Sequence, residues 1–432
     1  MRPESRPFHL KSLLFGAFWA SVGILVTQRF LGPCIVDHTR PAEEQMLLMV
    51  HETIREDYVE PIPSDALMRS GAEGMLQSLQ DPYASFFGPE DLRRFREGNS
   101  GVLVGIGVML NPAGDILYPQ PGGFSDKAGI RPGDRFLRID DVDVRDAGLS
   151  ELAELLRGEP GTAVHLELVR RDGSTFAAMV ERSSVPTLTV GDVRMLDEEF
   201  GIGHIHIRSF AQSTEHEFDR ALDKLEQRGL KALVLDLRWN RGGQLPSAVG
   251  IAARFLDGHL VCSLENRNGT TDERHADPED SRFLGMPLVL LVNGESASGS
   301  EVVAAALRER GFGVVLGTRT YGKGIYQEVF EYQAGDFAMQ FTAGYYLTPA
   351  GHILEDHLRP EHAGGIEPDM VVLPDTQQEP FIRAWQRRNP PPAAFRDAVY
   401  EAFPVIRDAV PPRDRVLETA LTLLRTSLDD QA

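Results

Sequence analysis

The chain has 432 residues, 42% of them hydrophobic and 25% charged; this excludes disorder as its main state, and the length calls for two or three domains. Its formal net charge of −20, from 44 basic and 64 acidic side chains, excludes nucleic acid as a partner, because phosphate binding needs clustered Lys and Arg. Two cysteines, Cys34 and Cys262, exclude a disulfide framework or a multi-thiolate metal site and read as two unrelated thiols.

At the N-terminus, Arg2, Arg6 and Lys11 precede an apolar stretch from Ser12 to Thr27. A basic flank before an apolar segment is the pattern of a secretory signal or a signal anchor. The stretch is slightly shorter than the roughly 20 residues that cross a bilayer upright, and Gln28 and Arg29 interrupt its continuation. No A-x-A cleavage site follows, and Pro33 before Cys34 makes a poor lipoprotein signal. Residues 1–41 are therefore read as an uncleaved membrane anchor and linker, with the rest of the chain outside the cytoplasm, in a periplasm-like cell envelope. A buried helix is the alternative, but the segment is apolar on every face.

Residues 42–98 read as a helical module. Met46, Leu47, Val50, Ile54 and Tyr58 recur at helical spacing, as do Leu67, Gly71, Met75 and Leu79, and Asp81-Pro82 breaks the second helix. Residues 99–186 change to short strands and turns. The run Val104-Gly105-Ile106-Gly107-Val108 opens them, an alternating run spans Phe136 to Val144, and a helix covers Leu149 to Leu156. A last strand, Val164 to Val169, meets a hairpin turn at Arg171-Asp172-Gly173-Ser174. This is a small β-rich domain with one long helix.

Residues 187–376 alternate strands and helices. Strands are expected at 202–207, 232–237 and 287–292, and helices at 215–228, 247–255 and 300–310, the signature of a layered α/β domain. A site is expected at the carboxyl ends of its strands. Residues 377–432 read as a Pro-rich, flexible spacer followed by a helix from Arg415 to Leu428.

Three clusters in this α/β region bear on chemistry. In Asn293-Gly294-Glu295-Ser296-Ala297-Ser298-Gly299-Ser300-Glu301, a buried strand delivers small residues to the mouth of a helix. A hydroxyl there stands beside free backbone N–H groups that stabilise negative charge; a plain serine N-cap is the competing explanation. In Thr320-Tyr321-Gly322-Lys323-Gly324-Ile325-Tyr326-Gln327, one lysine sits between glycines. Such a lysine is usually a solvated turn residue, but a desolvated amine can serve as a base for a serine. In Asp236-Leu237-Arg238-Trp239-Asn240-Arg241-Gly242-Gly243, a strand ends in glycines whose amides can face an oxyanion or merely make a tight turn.

Taken together and in this order, the clusters resemble those of the carboxyl-terminal processing peptidases, or tail-specific proteases. That family carries S-A-S-A-S-E, T-F-G-K-G-x-x-Q and L-D-L-R-x-N-x-G-G where this chain has S-A-S-G-S-E, T-Y-G-K-G-x-x-Q and L-D-L-R-W-N-R-G-G. The resemblance implies Ser298 as nucleophile, Lys323 as general base, Gln327 as third member of the triad, and the amides of Gly243 and Gly299 as oxyanion hole. Gly299 stands for the family's alanine, and Trp239 and Arg241 for its more typical Asn and Pro.

The resemblance extends to Leu79-Gln80-Asp81-Pro82-Tyr83, which looks like the end of the family's helical module, and to Gly365-Ile366-Glu367-Pro368-Asp369. It also makes residues 99–186 a PDZ domain whose Val104, Gly105, Ile106 and Gly107 would hold a substrate's C-terminal carboxylate while the peptide adds as a strand. Val104, Ile106 and Val108 would then favour apolar terminal side chains.

The implied fold is an α/β, crotonase-like layered protease core with an N-terminal helical module and an inserted PDZ domain. The implied activity is a serine endopeptidase cleaving envelope or secreted proteins recognised by their C-terminal tails, with no metal or organic cofactor. His204 and His206, alternating in a strand, read as ordinary strand residues, as do His352, His357 and His362 in a loop-like stretch. Two rivals differ in class: a catalytically silent PDZ scaffold that binds C-termini, and a crotonase-type acyl-CoA enzyme.

Overall fold

The computed structural model describes residues 41–332, 337–356 and 364–430. The stretch read as a membrane anchor lies outside these residues, as do Cys34, His357 and His362. Among the described residues no helix is long and apolar enough to cross a membrane.

The chain divides into two compact units at Gln80. The described part of the first has two helices, α1 (Ala42–Asp57) and α2 (Ser64–Gln77). Glu43 and Glu44 in the first turn of α1 and Arg55 in its last complement the helix dipole.

The second unit opens with a short strand, β1 (Ser85–Phe87), and a helix, α3 (Pro89–Ser100), where the sequence reading had one helical module. The expected β-rich domain follows: β2 (Val102–Gly105), β3 (Val108–Leu110), β4 (Ile116–Pro119), α4 (Phe124–Lys127), β5 (Arg135–Ile139), β6 (Val142–Asp143), α5 (Leu149–Leu156), β7 (Ala163–Val169), β8 (Thr175–Glu181) and β9 (Ser183–Pro186). Its main sheet has the order β6-β5-β7-β8, and β2–β9 and β3–β4 form separate pairs. Val164, Leu166 and Leu168, alternating along β7, are fully buried and pack with Ile116, Phe136, Ile139 and Leu152 in one core.

The larger α/β part contains β10 (Val190–Asp197), β11 (Ile202–Ile207), α6 (Thr214–Glu226), β12 (Ala232–Asp236), α7 (Leu245–Ala253), β13 (Leu260–Asn266), β14 (Thr271–His275), β15 (Leu288–Val292), α8 (Gly299–Glu309), β16 (Val314–Gly317), β17 (Ile325–Tyr332), β18 (Phe337–Leu347) and β19 (Met370–Val371). Its six-stranded sheet runs β10-β11-β12-β15-β16-β19 and is parallel except for β10. Every residue of β12 and β15 is buried, as continuous apolar strands covered on both faces must be. Ile205, Leu233, Leu235, Leu290 and Val315 face the core shared with α6, α7 and α8. Ile202, Val234, Val289, Leu291 and Leu316 face Val416, Ala420 and Leu424 of the C-terminal helix α12 (Arg415–Asp429). A second sheet, β1-β18-β13-β14 with β17 also on β18, flanks this core.

The stretch expected to be a flexible spacer instead carries α9 (Glu379–Gln386), α10 (Arg396–Ala402) and α11 (Pro404–Arg407). Arg208 donates to the carbonyls of Gln386 (3.0 Å) and Arg388 (3.1 Å), and Arg171 of the β-rich domain to that of Glu401 (3.1 Å). These long-range ties fasten a Pro- and Arg-rich segment whose helices are short.

Candidate active site

Ser298 sits where β15 turns into α8, at the N-cap, with φ 55° and ψ −116°. A non-glycine residue there is strained by about 1–3 kcal/mol, and the surrounding serine run is fastened at many points. Ser296 Oγ donates to the Leu237 carbonyl (2.8 Å), Ser300 Oγ to that of Asn240 (2.8 Å), and the Ala297 N–H to the same Asn240 carbonyl (3.0 Å). The serine run and the Asp236–Gly243 turn are thus one construction.

Within that turn, Gly242 and Gly243 have φ values of 96° and 144°. A Cβ on Gly242 would lie 2.8 Å from Ser298 Cβ, and one on Gly243 only 2.0 Å from the Phe210 carbonyl oxygen. Only glycine lets this turn close against the serine. The N–H groups of Gly243 and of Gly299, the first residue of α8, donate to no acceptor among the described residues. A helix start supplies such orphan donors, and they suit a developing oxyanion.

The lysine loop is bound to the serine by one buried side chain, Glu301. Its carboxylate accepts the N–H of Ser298 (2.7 Å), the hydroxyl of Thr320 (2.5 Å) and the N–H groups of Gly322 (2.7 Å) and Lys323 (3.0 Å). Burial pushes its carboxyl up, and these donors oppose that shift. Four donors and no acceptor fit the ionised form.

Lys323 is half-buried, and burial lowers its amine below the ordinary lysine value against the opposing charges of Glu355, Asp81 and Glu301. Its Nζ lies 4.2 Å from the ring centroid of Tyr83. No hydrogen bond joins Lys323 Nζ to Ser298 Oγ among the described residues. Gln327 follows a register shift in β17 opposite Thr342 of β18, and its Nε2 is buried without a hydrogen-bond partner.

Behind the glycine turn lies a buried polar network. Arg238 bridges Asp236 (2.6 Å) and Asp414 (2.7 Å), and Gln386 Nε2 donates to Asp236. Burial pushes the Asp236 carboxyl up, but Arg238 and His204 outweigh it and hold it well below the usual carboxylate range. His204 is fully buried; burial would lower it, but Asp236 and Asp192 hold it above its ordinary value. His206 faces the Arg238 carbonyl, and burial lowers it to about 4.

Of the four residues expected to hold a carboxylate in the β-rich domain, Val104 and Ile106 bury their side chains, at 6% and 3% exposure. They offer a ligand backbone rather than apolar side chains, which narrows the expectation that they select terminal residues. Gly107 has φ 70°, and its carbonyl accepts the Gln120 N–H (2.7 Å). A cleft of about 740 Å³ runs from Met109 and Leu110 of β3 past α9 to Trp239 and Glu295.

Residues 201–372 match Peptidase family S41, and residues 116–170 match a PDZ domain. Over 339 residues the chain is 34% identical to the carboxy-terminal processing protease CtpA of Bacillus subtilis (strain 168), covering 77% of this chain and 70% of that one. The chain belongs to the carboxyl-terminal processing peptidases of family S41. A probable CtpA-like serine protease of Staphylococcus aureus (strain N315) is 31% identical over 353 residues, 81% of this chain and 68% of that one. The solved photosystem II D1 C-terminal processing protease is 27% identical with a TM-score of 0.44, covering 77% of this chain and 94% of that one.

As a family S41 member the chain is a serine-type peptidase with a PDZ domain. This sets aside the silent scaffold and the acyl-CoA enzyme. The departures from the family's motifs have local accounts. A Cβ on Gly299 would meet Phe210 at 3.2 Å and Ala248 at 3.3 Å, so alanine fits only if these neighbours give slightly. Trp239 adopts φ 60°, with its N–H on Asn293 Oδ1 (3.0 Å), and lines the cleft. Arg241 and Arg383 both pair with Glu295 of the serine run, each at 2.9 Å.

Sequence reasoning assigned no role to Glu301 or Tyr83. The Ser298-x-x-Glu301 spacing is a capping-box signal that could have found the first. Tyr83 carried none, because only pairing across β18 brings it to the lysine.

Proposed function

We propose that this peptidase cleaves proteins through an acyl-enzyme on Ser298, with neutral Lys323 as general base and Gln327 orienting the amine. Lys323 takes the Ser298 hydroxyl proton as Oγ attacks the scissile carbonyl, and the amides of Gly243 and Gly299 hold the tetrahedral oxyanion. The lysine returns its proton to the leaving amine, and water then hydrolyses the ester. The observation that carries this reading is the Glu301 carboxylate, which accepts the backbone N–H groups of both Ser298 and Lys323.

Substrates on this reading are envelope or secreted proteins presented by their C-terminal tails. The amides at Gly105–Gly107 take the terminal carboxylate, and the cleft between β3 and Trp239 supports passage towards Ser298. The N-terminal segment anchors the enzyme with its catalytic part outside the cytoplasm, ahead of a helical module and a core of crotonase-like layering.

Two measurements test these assignments. A fluorophosphonate should label Ser298, located by peptide mass spectrometry, and Lys323→Ala should suppress that labelling. A tail with a free C-terminal carboxylate should bind at least about tenfold more tightly than its amidated form, the weight of a charge-assisted contact. Label on another serine would remove the first assignment, and equal binding of the two tails the second.

A further inference from the structure

The amine of Lys323 rests on an aromatic face rather than on the serine it would serve. Tyr83 reaches that position through three backbone ties. Asp81 Oδ1 accepts the Tyr83 N–H (2.9 Å), Asp81 Oδ2 accepts the Thr342 N–H (2.9 Å), and the Tyr83 carbonyl accepts from Gln340 Nε2 (3.3 Å). β1 then continues along β18, with Ser85 opposite Gln340. β17 begins just after Lys323 and pairs with the same strand, Gln327 opposite Thr342. One strand therefore registers both the lysine and the ring.

We propose that Tyr83 is a positioning residue for Lys323, docking its ammonium form on the ring face and releasing the lysine to Ser298 once the proton has gone to solvent. This rests on the reading of Lys323 as general base. The negative face of an aromatic ring attracts an ammonium but has little hold on a neutral amine. The contact therefore favours the form that cannot act as a base, and deprotonation both creates the base and loosens it from its dock.

The other groups facing the amine are the carboxylates of Glu355, Asp81 and Glu301, which also favour the charge, while burial opposes it. The Tyr83 phenol interacts with that of Tyr321, and burial with this neighbour pushes it up to about 12, so the ring is neutral wherever the lysine titrates.

The test is the titration of Lys323 itself, by competitive acetylation with acetic anhydride read by peptide mass spectrometry from about pH 5 to about pH 11. It is run on wild type, Tyr83→Phe and Tyr83→Leu, beside the pH profile of kcat/KM on an unfolded fluorescent reporter with an apolar C-terminal tail. Tyr83→Leu should lower the Lys323 midpoint by ~0.5–1.5 pH units and move the acidic limb of kcat/KM with it, and Tyr83→Phe should leave both in place. A merely structural role moves the midpoint the other way, because water reaching the amine raises a buried lysine's pKa. An unchanged or raised midpoint in Tyr83→Leu overturns the proposal. A lowered midpoint with an unmoved acidic limb would keep the dock and remove Lys323 as the base. If Tyr83→Leu does not fold, trifluorophenylalanine at position 83 keeps the ring's shape and strips its face of negative charge. The same downward shift is then expected, and none would overturn the proposal.

Discussion

Ser298 holds a backbone conformation that its side chain opposes, and the groups that impose it neighbour, in the same turn and helix start, those that would do chemistry with it. The Glu301 carboxylate pins the Ser298 N–H, Gly242 leaves room beside its Cβ, and Asn240 holds the residues on either side. A φ of 55° is easier for glycine than for alanine, and so is an N-cap. Ser298→Gly should therefore be more stable than Ser298→Ala by about 1–2 kcal/mol in denaturant unfolding, with both inactive. Equal stability of the two would mean that the strain is absent in solution. The three short motifs were visible in the sequence, but each alone also fitted a helix cap or a turn, and it was their resemblance as a set to the family's motifs that gave them roles. What joins them was not visible there, since a carboxylate accepting four donors from two loops is a property of three-dimensional neighbours.

The elements legible in the sequence were those with a continuous buried run or one long apolar stripe. β11, β12 and β15 are buried on both faces, α8 is buried all round over Gly299–Leu307, and α6 and α12 have single apolar stripes, so the sequence placed each to within a few residues. β1 is only three residues long, and α9–α11 are four to eight residues long, too short for a periodic pattern to stand out along the chain. α12 is held by more than its stripe. Asp414 caps it, accepting the N–H groups of Val416 (3.1 Å) and Leu417 (3.2 Å), and pairs with Arg238 behind the glycine turn. Asp414→Ala removes a cap and leaves a buried guanidinium short of a partner, so it should cost about 3 kcal/mol. Denaturant unfolding and hydrogen exchange along 415–429 would measure it. A loss below about 0.5 kcal/mol, as at an ordinary surface site, would show that the network does not hold the helix.

At the scale of the molecule, a PDZ domain and a family S41 peptidase core lie in one compact unit, with the segment 377–412 tied to both. The cleft from β3 to Trp239 is lined by that segment, so its wall is built by parts of the chain far apart in sequence. The change from short strands and turns to alternating strands and helices was readable along the chain, but this shared wall was not. We propose that Ser298 and Lys323 together carry proteolysis. The most direct test is cleavage of an unfolded reporter with an apolar C-terminal tail by wild type, Ser298→Ala and Lys323→Ala, each checked for folding by circular dichroism. Wild type should cleave the reporter, and each variant should lose at least about 10³-fold of that rate. Cleavage at the wild-type rate by either folded variant would contradict the proposal.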